Sequence, residues 1–258
     1  MSHAMAVRHR SLLPREHGAY FQLGVPLATA AIVRPPGLAS AGIVAASVLA
    51  FLAHEPLLVL LGTRGQRVLA ACGDRARGRF AWLAIGAIVA GAAGLALAPA
   101  AIVAVAAPVA IMAALVVGLA ARRAEHTLAG ELAAAVALTG ASAVALVAGG
   151  ASIATAAGAW LGWSVGFGAT VLAVHRVLAR HKRAAGPIDR VMTVGLVAAS
   201  AVAIAFAFRC AAATIAAPLL TLAGVVTLAP PPARHLRAVG VVIAIVAAGS
   251  AVLAIIGA

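Results

Sequence analysis

The sequence predicts an all-α fold, a polytopic transmembrane bundle of about nine spans, from three observations. Hydrophobic residues make up 64% and charged residues 10% of the chain, with a mean hydropathy of +1.11. A soluble globular chain is usually about half apolar and about a quarter charged. The apolar residues also come in long runs, each near the roughly 20 residues that a helix needs to cross a bilayer. Finally, period-2 alternation is missing, which argues against a membrane barrel.

In chain order the first span, 18–33, is short and carries Pro26. The second, 38–61, is long enough to tilt and contains His54-Glu55-Pro56. The third and fourth, 80–98 and 100–120, are separated only by Ala98-Pro99-Ala100, which predicts a tight hairpin or one broken helix. Span 5 covers 128–148. Span 6, 152–174, places Gly158, Gly162 and Gly166 four residues apart on one face, a pattern that lets helix backbones approach closely. Its Trp160 and Trp163, with Trp82 in span 3, read as interfacial or packing aromatics. Spans 7 to 9 cover 191–208, 211–229 and 238–257. Residues 1–17 form a basic tail and 18–258 a single transmembrane domain. The longest gaps, 62–79 and 175–190, read as loops.

Charge tests this layout. Of the 19 Lys and Arg residues, all but Arg34 and Arg209 fall before span 1 or in the breaks after spans 2, 4, 6 and 8. Cytoplasmic loops carry the Lys/Arg excess, so the N-terminus is expected inside and the C-terminus outside. The net charge of +13 is then a topology signal, and no nucleic-acid partner is needed to explain it. Cys72 and Cys210 are expected on opposite sides and form no disulfide framework. No cleavable signal peptide is apparent, so span 1 is expected to remain as an anchor. Heavy Ala use with a single Lys suggests a GC-rich bacterial genome.

Only six residues are acidic, and three of them sit directly beside a histidine, in Glu16-His17, His54-Glu55 and Glu125-His126. Ionisable groups next to or inside apolar segments are costly and mark function by default. Glu55 lies about 9 Å inside the end of span 2, beside a proline that loosens the helix near Leu52. It therefore carries most of the functional weight. Glu16 and His17 stand at the entrance to span 1, where a helix cap and an interfacial Tyr20 explain them equally well. Glu125-His126 reads as interfacial. Glu131, about one turn into span 5, is a second intramembrane carboxylate, and His175-Arg176 closes span 6 on the same side. These residues permit one cytoplasm-facing polar cavity built from spans 1, 2, 5 and 6.

Adjacent helical residues point about 100° apart, so a Glu-His neighbour pair seldom chelates one ion. The i,i+3 or i,i+4 His spacings of helical metal sites are absent. Neither a metal nor any other cofactor is expected, and a proton-exchanging Glu/His network is the less demanding use of the same groups.

The segment Pro14-Arg15-Glu16-His17-Gly18-Ala19-Tyr20, with His54-Glu55-Pro56-Leu57-Leu58 and the overall size, resembles the YwiC-like family of bacterial membrane proteins. That resemblance implies a multi-pass protein of the bacterial cytoplasmic (inner) membrane, and adds fold and location rather than mechanism. The layout of nine spans with loops after spans 2 and 6 is similar to the UbiA-type intramembrane prenyltransferases. Those enzymes hold a prenyl diphosphate through Mg²⁺ on Asp-rich motifs in these two loops. Here only Glu55 and Asp74 lie near the first loop and Asp189 near the second, so the motifs are absent as written. Arg64, Arg67, Arg176 and Arg180 are left as candidates to grip a phosphate directly.

The function expected is a transporter or a lipid- or phosphate-binding protein with Glu16, His17, His54, Glu55, Glu131, His175 and Arg176 as its polar site. Its partners are the lipid bilayer and an anionic or phosphate-bearing small molecule or lipid. Two other readings stay open: a divergent UbiA-type transferase acting on a lipid phosphate, and a non-catalytic assembly partner. The missing Asp-rich motifs lean against an enzyme.

Overall fold

The computed structural model describes residues 11–14, 16–181, 187–206 and 209–257, and among these it contains nine helices and no strand. They are α1 (His17–Val33), α2 (Leu38–Leu60), α3 (Gln66–Leu97), α4 (Val103–Ala121), α5 (Leu128–Ala148), α6 (Ile153–His181), α7 (Pro187–Ala205), α8 (Ala211–Leu228) and α9 (Leu236–Ile256). Each expected span coincides with one helix. Seven are long and apolar enough to cross a bilayer, while α1 and α7 are shorter apolar helices. The chain is a multi-pass helical membrane protein.

Three expectations need correction. The gap at 62–79 is mostly helix, because α3 begins at Gln66 and runs 32 residues. At 1.5 Å per residue it is about 48 Å long, against a hydrocarbon core of about 30 Å. Its first turns are charged and so fail an apolar test, yet Gln, Arg, Leu and Ala are all good helix formers. The gap at 175–190 likewise begins as helix, since α6 continues to His181. Third, α3 and α4 are separate helices that hardly touch. α3 packs on α2 and α4 packs on α5.

Glycine explains the α2–α3 pairing. A Cβ on Gly42 would lie 2.8 Å from the Ala90 carbonyl oxygen, and one on Gly94 would lie 2.9 Å from the Ala39 carbonyl. The anticipated glycine face of α6 packs in the same way against α8. A Cβ on Gly162 would approach Ala212 O to 2.7 Å and one on Gly166 would approach Leu219 Cδ1 to 2.8 Å, although Gly158 meets nothing within 4 Å. Trp163 is buried and stacks on Phe167, Trp160 donates its indole N–H to Val136 O at 2.9 Å, and Trp82 faces outward.

The hub of the bundle is α5, which packs on α1, α2, α4 and α6. Much of its second half is buried, including Thr139 and Ser142. The outward faces of α3, α4 and α9 carry Ile88, Val89, Ile111, Val103, Ile245 and Val241, as suits contact with lipid. Contacts between helix ends define two ends of the bundle. One, the basic end, gathers the starts of α1, α3 and α5 with the ends of α2, α4 and α6. The far end gathers the ends of α1, α5 and α9 with the starts of α6 and α8.

Candidate functional site at the basic end

Three turns place the charged residues. α2 ends with Gly62 at φ +70°, where Gly62 N–H donates to Val59 O and Thr63 N–H to Leu58 O. This is a Schellman stop, and glycine takes the left-handed position without a Cβ penalty. The chain reverses so sharply that Arg64 folds back onto Glu55, nine residues earlier. α4 ends in the same motif, with Arg123 at φ 58° as the left-handed residue. The α4–α5 turn then lies across the start of α5, where a Cβ on Gly130 would meet Glu125 O at 2.7 Å. Thr127 caps α5 by accepting the Gly130 N–H at 3.1 Å. The third turn precedes α1, where Tyr20 donates its hydroxyl to Pro14 O at 3.1 Å and sets its ring edge-on to Phe51 of α2.

These turns bring the Glu-His couples together. Arg64 Nη2 donates to Glu55 Oε2 at 2.7 Å and its Nε donates to Oε1 at 3.1 Å, while Nη1 donates to Glu125 Oε1 at 3.1 Å. Glu55 is 1% exposed. His126 Nε2 stands 3.4 Å from Glu125 Oε1, and its Nδ1 stands 3.8 Å from Glu16 Oε1. Glu16 is the N-cap residue of α1, yet its side chain makes no capping bond. Burial opposes the Arg64 charge. The hydrogen bond and charge of Glu55, joined by Glu125 and Glu16, outweigh it and hold its pKa above the ordinary arginine value.

A cavity of about 290 Å³ opens beside this cluster, between α1, α2, α4 and α5. Its charged part is lined by Glu16, His54, Glu55 and Arg64, and its deeper part by Phe51, Val109, Ala137, Leu138 and Ala141 among others. A second, almost wholly apolar cleft of about 320 Å³ lies between α1 and α2, which touch only slightly, and Leu23 and Phe51 border both spaces.

The expected single cavity of spans 1, 2, 5 and 6 is therefore altered. α4 supplies one wall, and α6 supplies none because it packs on the other side of α5. Glu131 is not in the cluster. Its Oε2 pairs with His175 Nε2 at 2.9 Å across α5 and α6, and both side chains are partly exposed. The hydroxyls of Thr139 and Ser164 join the same two helices at 2.9 Å. Arg176 is half-buried beside His175, and Arg67 and Arg180 are exposed. The His17 side chain and that of Asp189 lie outside the described residues. Glu125 and His126, read as interfacial, lie in the α4–α5 turn and also join the cluster. The signal was present, since theirs is the third copy of the same couple. Among the described residues no three His, Cys, Asp or Glu side chains converge where a metal ion could sit. The helices α2 and α6, whose following loops would have to face one site in a UbiA-type enzyme, line no common cavity among those described.

The fold and this cluster define a multi-pass membrane protein with an ion-paired, cavity-bordering polar site. The chain belongs to the YwiC-like family, whose model matches residues 13–146. That stretch contains every residue lining the basic-end cavity. No curated protein and no solved structure matches the chain.

Proposed function

We propose that the chain is a proton-linked transporter of the bacterial inner membrane, with its basic end in the cytoplasm, acting on a small amphipathic solute. The observation that carries this reading is a pair of cavities at opposite ends, back to back. Ala141 of α5 lines the basic-end cavity and the next residue, Ser142, lines the far-end one; on α1 the corresponding residues are Leu23 and Pro26. Pro26 cannot donate to the carbonyl of Gln22, so α1 is loosened between the two spaces. Broken or loosened helices at a midplane site are the usual construction of secondary transporters.

The basic-end cavity suits an amphipathic solute, with a charged mouth and an apolar depth. Around Arg64 stand three carboxylates, those of Glu16, Glu55 and Glu125. Glu125 Oε2 is buried and has no hydrogen-bond partner among the described residues, which leaves a place for a proton. His54 and His126 stand beside it, and imidazole exchanges protons near neutral pH.

The test uses a background lacking Cys72 and Cys210, with Ala137→Cys or Ala159→Cys as a single reporter in each cavity. Labelling by a membrane-impermeant maleimide is followed in inside-out and right-side-out vesicles at acidic and neutral pH. The two reporters are expected to change reactivity in opposite senses with pH, and Glu55→Gln is expected to freeze both while the protein still inserts and accumulates. Reactivities that ignore both pH and Glu55→Gln would sink the transporter reading.

A further inference from the structure

The largest of the described cavities, about 390 Å³, lies at the far end, between α1, α5, α6, α8 and α9. It is bordered by Arg34 and Arg209, the two basic residues that stand apart from the other 17 of the 19. The six acidic residues are Glu16, Glu55, Asp74, Glu125, Glu131 and Asp189, and all are carried at the basic-end side of their helices or turns. Neither arginine has a carboxylate partner among the described residues. Both are exposed, and two guanidinium groups bordering one cavity, with no carboxylate near them among the described residues, offer donors that an anion can bridge.

The surroundings suit an anion. Arg34 ends α1, where Pro35-Pro36 stop the helix, and its stem is seated at the end of α5: a Cβ on Gly149 would lie 3.1 Å from the Arg34 Cβ. Arg209 precedes α8 on the other side of the cavity. The α8 N-cap residue, Cys210, makes no side-chain capping bond, and the first backbone N–H of that helix to find a partner outside solvent is that of Thr214, which donates to Cys210 O at 3.0 Å. Among the described residues nothing accepts the amides of Ala211 to Ala213, which lie beside Arg209 at the positive end of the helix. Apolar Trp163, Ile215 and Leu146 form the floor.

We propose that this far-end cavity binds a phosphate-bearing anion between Arg34 and Arg209, either a free phosphate compound or a phospholipid headgroup whose tails lie along the bundle. Arginine's planar fork matches phosphate oxygens two at a time. The anion meets two arginines to which the described residues offer no carboxylate.

Cys210 is an exposed native reporter at the rim, whereas Cys72 is buried. The full chain is delipidated in neutral detergent. Cys210 labelling by an impermeant maleimide is then timed with inorganic phosphate or with short-chain phosphatidylglycerol. Saturable protection by phosphate identifies a free anion as sufficient. Protection by phosphatidylglycerol but not by phosphatidylcholine or phosphate identifies a lipid headgroup. In either case Arg34→Gln, which lies across the cavity from the reporter, should weaken the protective ligand about tenfold or more, as loss of a charge-assisted bond does. Arg34→Lys should recover part of it, and Arg122→Gln at the basic end should change nothing. No protection by either ligand, or protection that Arg34→Gln leaves intact, overturns the proposal.

Discussion

The two ends of the bundle treat charge in opposite ways. The basic end holds most of the cations and all the described acidic side chains, and there Arg64 is occupied by Glu55 and Glu125. Of the described basic residues the far end holds Arg34 and Arg209, and neither has a carboxylate partner among the described residues. An arginine held between carboxylates and one that borders a cavity without them are thus different groups, whatever the total charge around them. In this arrangement the Arg64 fork is already filled by carboxylates, while the sparse end offers open donors.

Stability measurements can break or sharpen this contrast, and thermal unfolding in detergent is a sufficient readout for each. The largest effect is expected from Arg64→Ala, which takes the two-pronged arginine partner from the buried Glu55 carboxylate; removing one partner of a buried ion pair costs about 3–5 kcal/mol. Arg64→Lys keeps the charge but loses the fork and should fall between the parent and Arg64→Ala. If Arg64→Ala is neutral, the basic end is not held by its pairing. Glu125→Gln comes next, at about 1.5–3 kcal/mol for a weakened bond to a charged group. A double-mutant cycle with Arg64→Ala should show coupling of at least ~0.5 kcal/mol, as residues in one network do. His175→Ala, which breaks the partly exposed pair with Glu131, should cost no more than about 1 kcal/mol. Smallest of all, Arg34→Gln in ligand-free protein should stay within about 0.5 kcal/mol of the parent. A large loss there would mean that Arg34 has a structural partner after all, and the two ends would cease to differ.

Much of the fold was legible because a bilayer demands long apolar helices and the sequence supplies them with basic breaks between. The charged start of α3 was not, because polarity and helicity are independent: Arg67 to Arg79 are hydrophilic and still helical. The cavity wall from α4 was also hidden, since Val109, Ala113 and Val116 look like any lipid-facing residues. For the site, the Glu-His couples marked three of the segments that converge. What they could not give was the joining residue. Arg64 meets Glu55 only because Gly62 turns the chain back, and a left-handed turn of one residue leaves little trace beyond the glycine itself. Glu131 and His175 were correctly placed on one side of the bundle, but α5 stands between α6 and the cavity. Sharing a side is not the same as sharing a space.

The narrow separation between the α1–α2 cleft and the basic-end cavity has a consequence for supply. Leu23 and Phe51 border both spaces, and α1 and α2 barely touch beside them. A molecule dissolved among the acyl chains faces those two side chains, rather than the aqueous mouth, on its way to Glu55. For such a molecule, occupancy of the site would follow its partition into the hydrocarbon more than its concentration in water. The membrane would then act as the reservoir from which the cavity is filled.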